Sequence, residues 1–410
     1  MSFTEFDFHP QISAGIAACG YTIPTPIQKE AISPILAGHD IFGLAQTGTG
    51  KTAAFVLPIL QRLLKGSRKK TRALIVAPTR ELAEQIHGNI EKMAGRTGIK
   101  SVPIYGGVGK SPQIRAVRAG TEIIVACPGR LLDLVNDEAI SLRDIEVLVL
   151  DEADHMFDQG FLPDIKRIIK LLPQKRQSLV FSATMPAEIK VLAQKILHRP
   201  QTVRINDSLP APTIAHGLFQ VKKEERTALL KNLLQKEEIK TALIFTRTKH
   251  KAKSLGMQLQ RAGFKATSLQ GNLTQNNRKK ALDGFRDGVF NIMVATDIAA
   301  RGIDVTGISH VINYDLPDTV ETYTHRTGRT GRADRTGKAY TFAGPEDRKM
   351  ITSIERNLGK KMAQESLPAL NSGAKPSRQA KPSRQESRQK AMPAVRGSRG
   401  CSWSESLVLA

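Results

Sequence analysis

From Ala31 to about Arg204, short and almost wholly apolar runs alternate with helix-length amphipathic stretches, and after a break the alternation starts again. ALIVAPT (73–79) precedes RELAEQIHGNIEKMA, and VLVLDEAD (147–154) and SLVFSAT (178–184) are further runs of the first series. TALIFTRT (241–248), ATSLQG (266–271), NIMVATD (291–297), HVINYD (310–315) and KAYTFAG (338–344) make the second. A strand that is apolar along its whole length must be covered on both faces. The pattern therefore predicts α/β domains, each a mostly parallel sheet covered by helices. A chain of 410 residues also exceeds what one core usually supports, so two similar domains are expected. The break, NDSLPAPT (206–213), reads as a linker. Polar residues gather where the apolar runs end, and open parallel sheets bind their ligands outside the carboxyl ends of the strands.

Lys and Arg number 61 against 38 Asp and Glu, a formal +23, which points to a polyanionic partner. Residues 371–410 contribute a net +6 of this, leaving +17 for the rest of the chain. Within that tail AKPSRQAKPSRQESRQK (374–390) repeats a KPSRQ unit without a large apolar residue, so a disordered basic arm is expected from 364 to 410. The three cysteines, Cys19, Cys127 and Cys401, have neither disulfide-framework nor zinc spacing. The start, MSFTEFDFHP, lacks the basic and apolar segments of a signal peptide, and no apolar run approaches the roughly 18 residues that span a bilayer. The expectation is a cytoplasmic protein without a membrane partner.

AQTGTGKT (45–52) follows IFGL, a strand-like run, and precedes AAFVLPILQRLL, a helix-like one. That is the setting of a phosphate loop made by Ala45, Gln46, Thr47, Gly48, Thr49, Gly50, Lys51 and Thr52. Gly48 and Gly50 let backbone N–H groups face a phosphate, Lys51 reaches the outer phosphates, and the Thr52 hydroxyl can ligate Mg²⁺. DEAD (151–154), at the end of VLVL, supplies carboxylates: Asp151 for Mg²⁺ and Glu152 to orient and deprotonate an attacking water. An acidic tetrad alone is usually solvated surface; behind a buried strand and beside a phosphate loop it is a site.

With these motifs the chain resembles the DEAD-box ATP-dependent RNA helicases of superfamily 2, in the family's motif order across residues 1 to about 360. Its compact form and basic tail look most like the bacterial RhlE-type members. GYTIPTPIQ (20–28), PTREL (78–82), GG (106–107), PGR (128–130), SAT (182–184), ATDIAARGID (295–304) and HRTGRTGR (325–332) carry the likeness. The resemblance implies two RecA-like domains, 31–205 and 214–363, preceded by an adenine-reading segment (1–30). It implies ATP and Mg²⁺ as cofactors and RNA as partner. Phe3, Tyr21 and Gln28 would read the base, a Gln amide offering the donor and acceptor that match adenine N6 and N7. Gly302 and Asp304 would complete the nucleotide site. Arg329 and Arg332 would reach across to the γ-phosphate, while His325 and Arg326 network with the first domain. Without the other motifs, HRTGRTGR would read equally well as a basic patch, and Gln28 as a surface amide.

The remaining motifs resemble the family's strand contacts: Pro78, Thr79, Arg80, Gly106, Gly107, Gly129 and Arg130 in the first domain, and Thr246, Arg247, Gln270, Gly271, Arg278, Thr296 and Asp297 in the second. Glycines and small residues let phosphates approach backbone N–H groups, and arginines neutralise them, with little sequence specificity. Asp154, Ser182, Ala183 and Thr184 would couple the carboxylates to strand separation. Two positions depart from the family pattern: Cys127 stands where Thr usually precedes PGR, and Thr327 where Ile or Val is usual.

The resemblance implies RNA-stimulated ATP hydrolysis, domain closure on single-stranded RNA, and local, poorly processive unwinding. An ATP-gated RNA clamp or annealing protein is the alternative, and a basic tail would suit it, since polycations screen strand repulsion. Ribosomal or RNA-decay partners could dock on that tail.

Overall fold

The computed structural model describes residues 2–365 apart from 47, 206–213, 237–238, 301–304, 306 and 332–335. The first seven strands are β1 (Ile41–Leu44), β2 (Ala73–Val76), β3 (Ser101–Ile104), β4 (Ile123–Ala126), β5 (Val147–Leu150), β6 (Gln177–Ser182) and β7 (Gln201–Arg204). The second seven are β8 (Ile214–Gln220), β9 (Ala242–Phe245), β10 (Ala266–Leu269), β11 (Ile292–Ala295), β12 (His310–Asn313), β13 (Gly337–Ala343) and β14 (Ala363–Gln364). They form two seven-stranded sheets, ordered β3-β4-β2-β5-β6-β1-β7 and β10-β11-β9-β12-β13-β8-β14. Each strand of the second occupies the place of the strand seven before it in the first. Every recorded pairing is parallel. The two α/β domains are thus the same topology written twice.

The apolar runs explain the layers. Ile75, Val149 and Phe181 point into one core of the first sheet and Leu74, Leu148 and Val180 into the other. Alternate residues thus feed opposite faces, as the two-residue period of a strand requires. Packing is close where β1 meets β6: a Cβ on Gly43 would lie 2.5 Å from the Phe181 ring. Helices start directly after several strands because threonines cap them. Thr79, Thr248 and Thr274 each accept a backbone N–H of the following first turn. Those caps fix where loops end and helices begin at the carboxyl ends of β2, β9 and β10.

The segment that precedes β1 packs into the first domain: Phe3, Phe6, Phe8, Ile12 and Ile16 are buried in the same core as Ile41 and Phe55. The second sheet extends past 363, since Gln364 pairs with Leu218, and the Glu365 amide donates to the Leu218 carbonyl. Two residues of edge strand carry no periodicity to read. The basic tail from 366 onward lies outside the described residues.

Candidate nucleotide and nucleic-acid site

The phosphate loop leaves β1 and turns at Gly48 and Gly50, whose φ values of 88° and 93° belong to the left-handed region. Helix Lys51–Leu63 follows, with Lys51 and Thr52 in its first turn. Lys51 Nζ is buried against the Ala45 carbonyl at 2.9 Å, and Thr49 Oγ1 donates to the Gln46 carbonyl at 2.8 Å. Gln28 Nε2 donates to the Gly50 carbonyl (3.1 Å), while its Oε1 accepts from the Thr25 amide (2.9 Å). This segment is therefore wired to the loop itself. A Cβ on Gly50 would lie 2.6 Å from Gln28 Nε2, so only glycine allows that approach. Phe3 stacks on Tyr21, with ring centroids 6.2 Å apart and planes within 22°. Thr47 lies outside the described residues.

At the end of β5, Glu152 itself has a positive φ of 53°, a strained turn that starts the short helix Ala153–Asp158. The turn separates three carboxylates by function. Asp151 is buried, and desolvation pushes its pKa up to about 6 against the opposing pull of Lys51. Burial acts in the same sense on Glu152. There the hydrogen bond from His155, with the charges of Lys51 and Arg329, prevails and holds it below the ordinary range. Arg329, from the other domain, is thus close enough for its charge to register at Glu152. Asp154 faces the strand end of β6. Its Oδ2 accepts from the Ala183 amide (3.1 Å), the Thr184 amide (2.9 Å) and Thr184 Oγ1 (3.0 Å), and its own amide donates to Ser182 Oγ (3.2 Å).

Both sheets end on a groove of about 550 Å³. Pro78, Thr79, Arg80, Gly106, Gly129 and Arg130 line it from the first domain, and Arg247, Gly271, Arg278 and Thr296 from the second. Gly107 adjoins it, its Cα facing the Arg80 guanidinium so closely that a side chain would collide. Thr246 and Gln270 are buried behind this wall. Cys127 also lines the groove, and burial pushes its thiol up to about 12, so it faces the groove protonated. Thr327 is buried, its hydroxyl bonded back to the Tyr323 carbonyl at 3.1 Å, which satisfies the group where an apolar side chain is usual.

Four expected site residues, Arg278, Arg80, Arg326 and Asp297, spend polar atoms on partners within the protein. Arg278 does not face the groove free: its Nε donates to Glu81 Oε1 at 2.6 Å, an ion pair between the domains with both side chains largely buried. Arg80 likewise donates to Gln275 Oε1 across the same seam (3.3 Å). Among the described residues the hydrogen-bond partners of Arg326 lie in its own domain. Asp297 (2.6 and 2.7 Å), Asn313 (3.1 Å) and the Asp315 carbonyl (2.7 Å) hold its guanidinium, so Asp297 spends its carboxylate there and not on the groove. His325 lines a small recess with Asp297, Arg326 and Arg329. Gly302, Asp304 and Arg332 lie outside the described residues.

Sequence reasoning passed over Glu81, Gln275, His155 and Gln159. The first pair needed knowledge of which helices face each other across the domains. The second pair was readable, since positions 152, 155 and 159 fall on one face of a helix.

A phosphate loop, a carboxylate turn and a two-domain groove on twin parallel sheets define a nucleotide-driven helicase core. The family models agree: DEAD/DEAH box helicase matches residues 25–192, and helicase conserved C-terminal domain matches residues 225–334. The chain belongs to the DEAD-box helicase family. It is similar to the ATP-dependent RNA helicase CshA of Listeria monocytogenes, 40% identical over 361 residues covering 88% of this chain and 69% of that one. The DEAD-box ATP-dependent RNA helicase CshA of Bacillus subtilis is 39% identical over 372 residues, 90% of this chain and 75% of that one. These relatives are CshA helicases, and the RhlE-type likeness stays an expectation. Among solved structures, S. cerevisiae Dbp5 bound to RNA and ADP BeF3 superposes with a TM-score of 0.81 at 32% identity, over 89% of this chain and 95% of that one. Mss116 bound to single-stranded RNA and UDP-BeF gives 0.81 at 27% identity, over 90% and 80%.

Proposed function

We propose that this chain is an ATP-dependent RNA helicase whose two domains close on ATP and on a single RNA strand together, and whose hydrolysis of ATP reopens them. One observation carries the reading: residues from both domains line one groove, while Arg329 of the second domain reaches electrostatically to Glu152 of the first. ATP hydrolysis and strand binding then share a single conformation.

In that conformation Phe3, Tyr21 and Gln28 hold adenine, and the loop 45–52 holds the phosphates. The donor set suits Mg²⁺: Thr52 and Asp151 are a hydroxyl and a carboxylate, and among the described residues no group of three or more His, Cys, Asp or Glu could hold a metal. A hydroxyl and a carboxylate would hold a hard, oxygen-preferring cation such as Mg²⁺. Bound there, Mg²⁺ supplies charge neutralisation at the phosphates. Glu152, kept ionised, accepts the proton of the attacking water. Arg329 and Arg332 stabilise charge on the transferring phosphoryl group, a contribution of about 10³–10⁵ in rate for arginines so placed. Asp154 carries the state of this site to Ser182 and Thr184. The groove residues grip sugar and phosphate rather than base edges, so unwinding is local and largely independent of sequence. Among the described residues no helix is long and apolar enough to cross a membrane, which suits a cytoplasmic enzyme acting on RNA; docking of ribosomal or decay partners on the tail belongs to the same reading.

The test is ATP turnover by the purified protein alone, with single-stranded RNA, and with DNA of the same sequence. Strong stimulation by RNA only supports the reading. Equal stimulation by DNA replaces it with a general nucleic-acid motor, and binding of RNA without stimulation replaces it with an ATP-gated clamp.

A further inference from the structure

Glu152, His155 and Gln159 stand at helical spacing on one face of the turn that follows β5, and they are hydrogen-bonded in series. His155 Nδ1 lies 3.1 Å from Glu152 Oε2, and Gln159 Nε2 lies 2.8 Å from His155 Nε2. An ionised carboxylate only accepts, so Nδ1 carries the ring hydrogen and donates it to Glu152. The amide nitrogen of Gln159 only donates, so His155 Nε2 is the acceptor. The polarity of the chain is thereby fixed from end to end. Its inner end is the carboxylate that accepts the proton from the attacking water. Its outer end, Gln159, lines the groove proposed for RNA, beside Phe161 and across from Ile298 of the second domain.

We propose that Gln159 and His155 are positioning residues that relay strand occupancy to Glu152. A strand in the groove hydrogen-bonds Gln159 and fixes its amide; the amide then fixes the imidazole, and the imidazole fixes the carboxylate in its water-activating orientation. Without a strand, water competes for Gln159 and the series loosens. This path meets the Asp154–Ser182–Thr184 contacts at the main chain, where the His155 amide donates to Asp154 Oδ1 (3.0 Å), but it runs through different side chains. It rests on the functional reading above.

The relay predicts non-additivity, which a merely structural role would not produce. Gln159→Met keeps the length of the side chain but removes its donor. His155→Asn keeps an N–H near the Nδ1 position and has nothing at Nε2 for Gln159 to meet. Turnover at saturating ATP and saturating RNA is measured for the parent, both single variants and the double variant, with melting temperatures to establish folding. Gln159→Met should lower RNA-saturated turnover about fivefold in the parent, as expected for one lost positioning contact, and by less than about 1.5-fold in the His155→Asn background. An equal loss in both backgrounds, or no loss in the parent, overturns the relay while leaving RNA-stimulated hydrolysis intact. Absence of RNA stimulation in the parent overturns the functional reading and the relay with it.

Discussion

Asp151 and Glu152 are neighbours in sequence and opposites in ionisation. The same burial acts on both, but only Glu152 has His155 at hydrogen-bond distance, and its pKa falls while that of Asp151 rises to about 6. A base that is ionised throughout the working pH range can accept a proton at every turnover, whereas a reluctant carboxylate such as Asp151 gains most from a nearby cation. The prediction at this scale concerns Glu152→Gln, which keeps shape and removes the base. Its turnover should fall by roughly 10²–10⁴, as for loss of a positioned general base. ATP and RNA should remain bound together, so RNA should dissociate far more slowly with ATP than without. Equal dissociation rates would count against a closed state held by ATP.

At the scale of elements, the seam between helix Arg80–Ala94 and helix Gln275–Arg286 is fastened by Glu81 with Arg278. Breaking a buried pair by reversing one charge strands two like charges together. Arg278→Glu should weaken ATP-dependent RNA binding by about 10-fold or more, and adding Glu81→Arg should restore most of it. Titrating RNA at fixed ATP analogue checks this; no recovery in the double variant would return Arg278 to the role of phosphate contact. The second sheet carries a separate sensitivity. His216 is buried with its Nδ1 on the Tyr323 hydroxyl (2.8 Å), and burial, with a minor effect of Lys360, pushes its pKa down to about 4. Its folded pKa is below the unfolded one, so stability is full above about pH 6.5 and is lost as pH falls from there through 4, by up to about 3 kcal/mol. Thermal unfolding followed from pH 7 to 4 should show that loss, and His216→Gln should flatten it.

Much of this scaffold was legible because strands covered on both faces must be apolar throughout, which exposes β2, β5, β6 and β9–β13 as continuous runs. Strands β3 and β7 lie at the sheet edges: SVPI includes a proline, and QTVR is mostly exposed, so neither stands out from loop. The run IIVA of β4 is as apolar as the others and was readable, though overshadowed by the PGR that follows. Motif positions came through because they sit at strand ends. Side-chain partners did not: the diversion of Arg278 to Glu81 and of Arg326 to Asp297 depends on which surfaces meet, and that is decided only in three dimensions.

For the whole molecule, the formal +23 overstates what a strand in the groove would feel. Arg130, Arg247 and Arg278 are already paired with carboxylates, those of Asp133, Asp318 and Glu81 respectively, whereas Arg80 donates to the neutral Gln275 amide and keeps its charge. RNA affinity with an ATP analogue should therefore fall only gently with salt, with a log–log slope of about −2 to −4, near −0.7 for each phosphate neutralised on a single strand. A slope of about −6 or steeper would assign the binding to the diffuse charge of the chain, basic tail included, instead of to the groove.

The two sheets are joined by the short stretch between Ile205 and Ile214. Closure is consequently a reaction between two partners held on one leash, and the leash sets the concentration at which each half meets the other. Extra flexible residues inserted there dilute one domain in the volume around its mate. Each doubling of the leash should cost roughly 0.6 kcal/mol, about a threefold loss in the apparent affinity for RNA with ATP. A set of insertions of graded length would show that gradual decline if mass action governs closure. An abrupt collapse at the first insertion would mean that the leash itself is a strut.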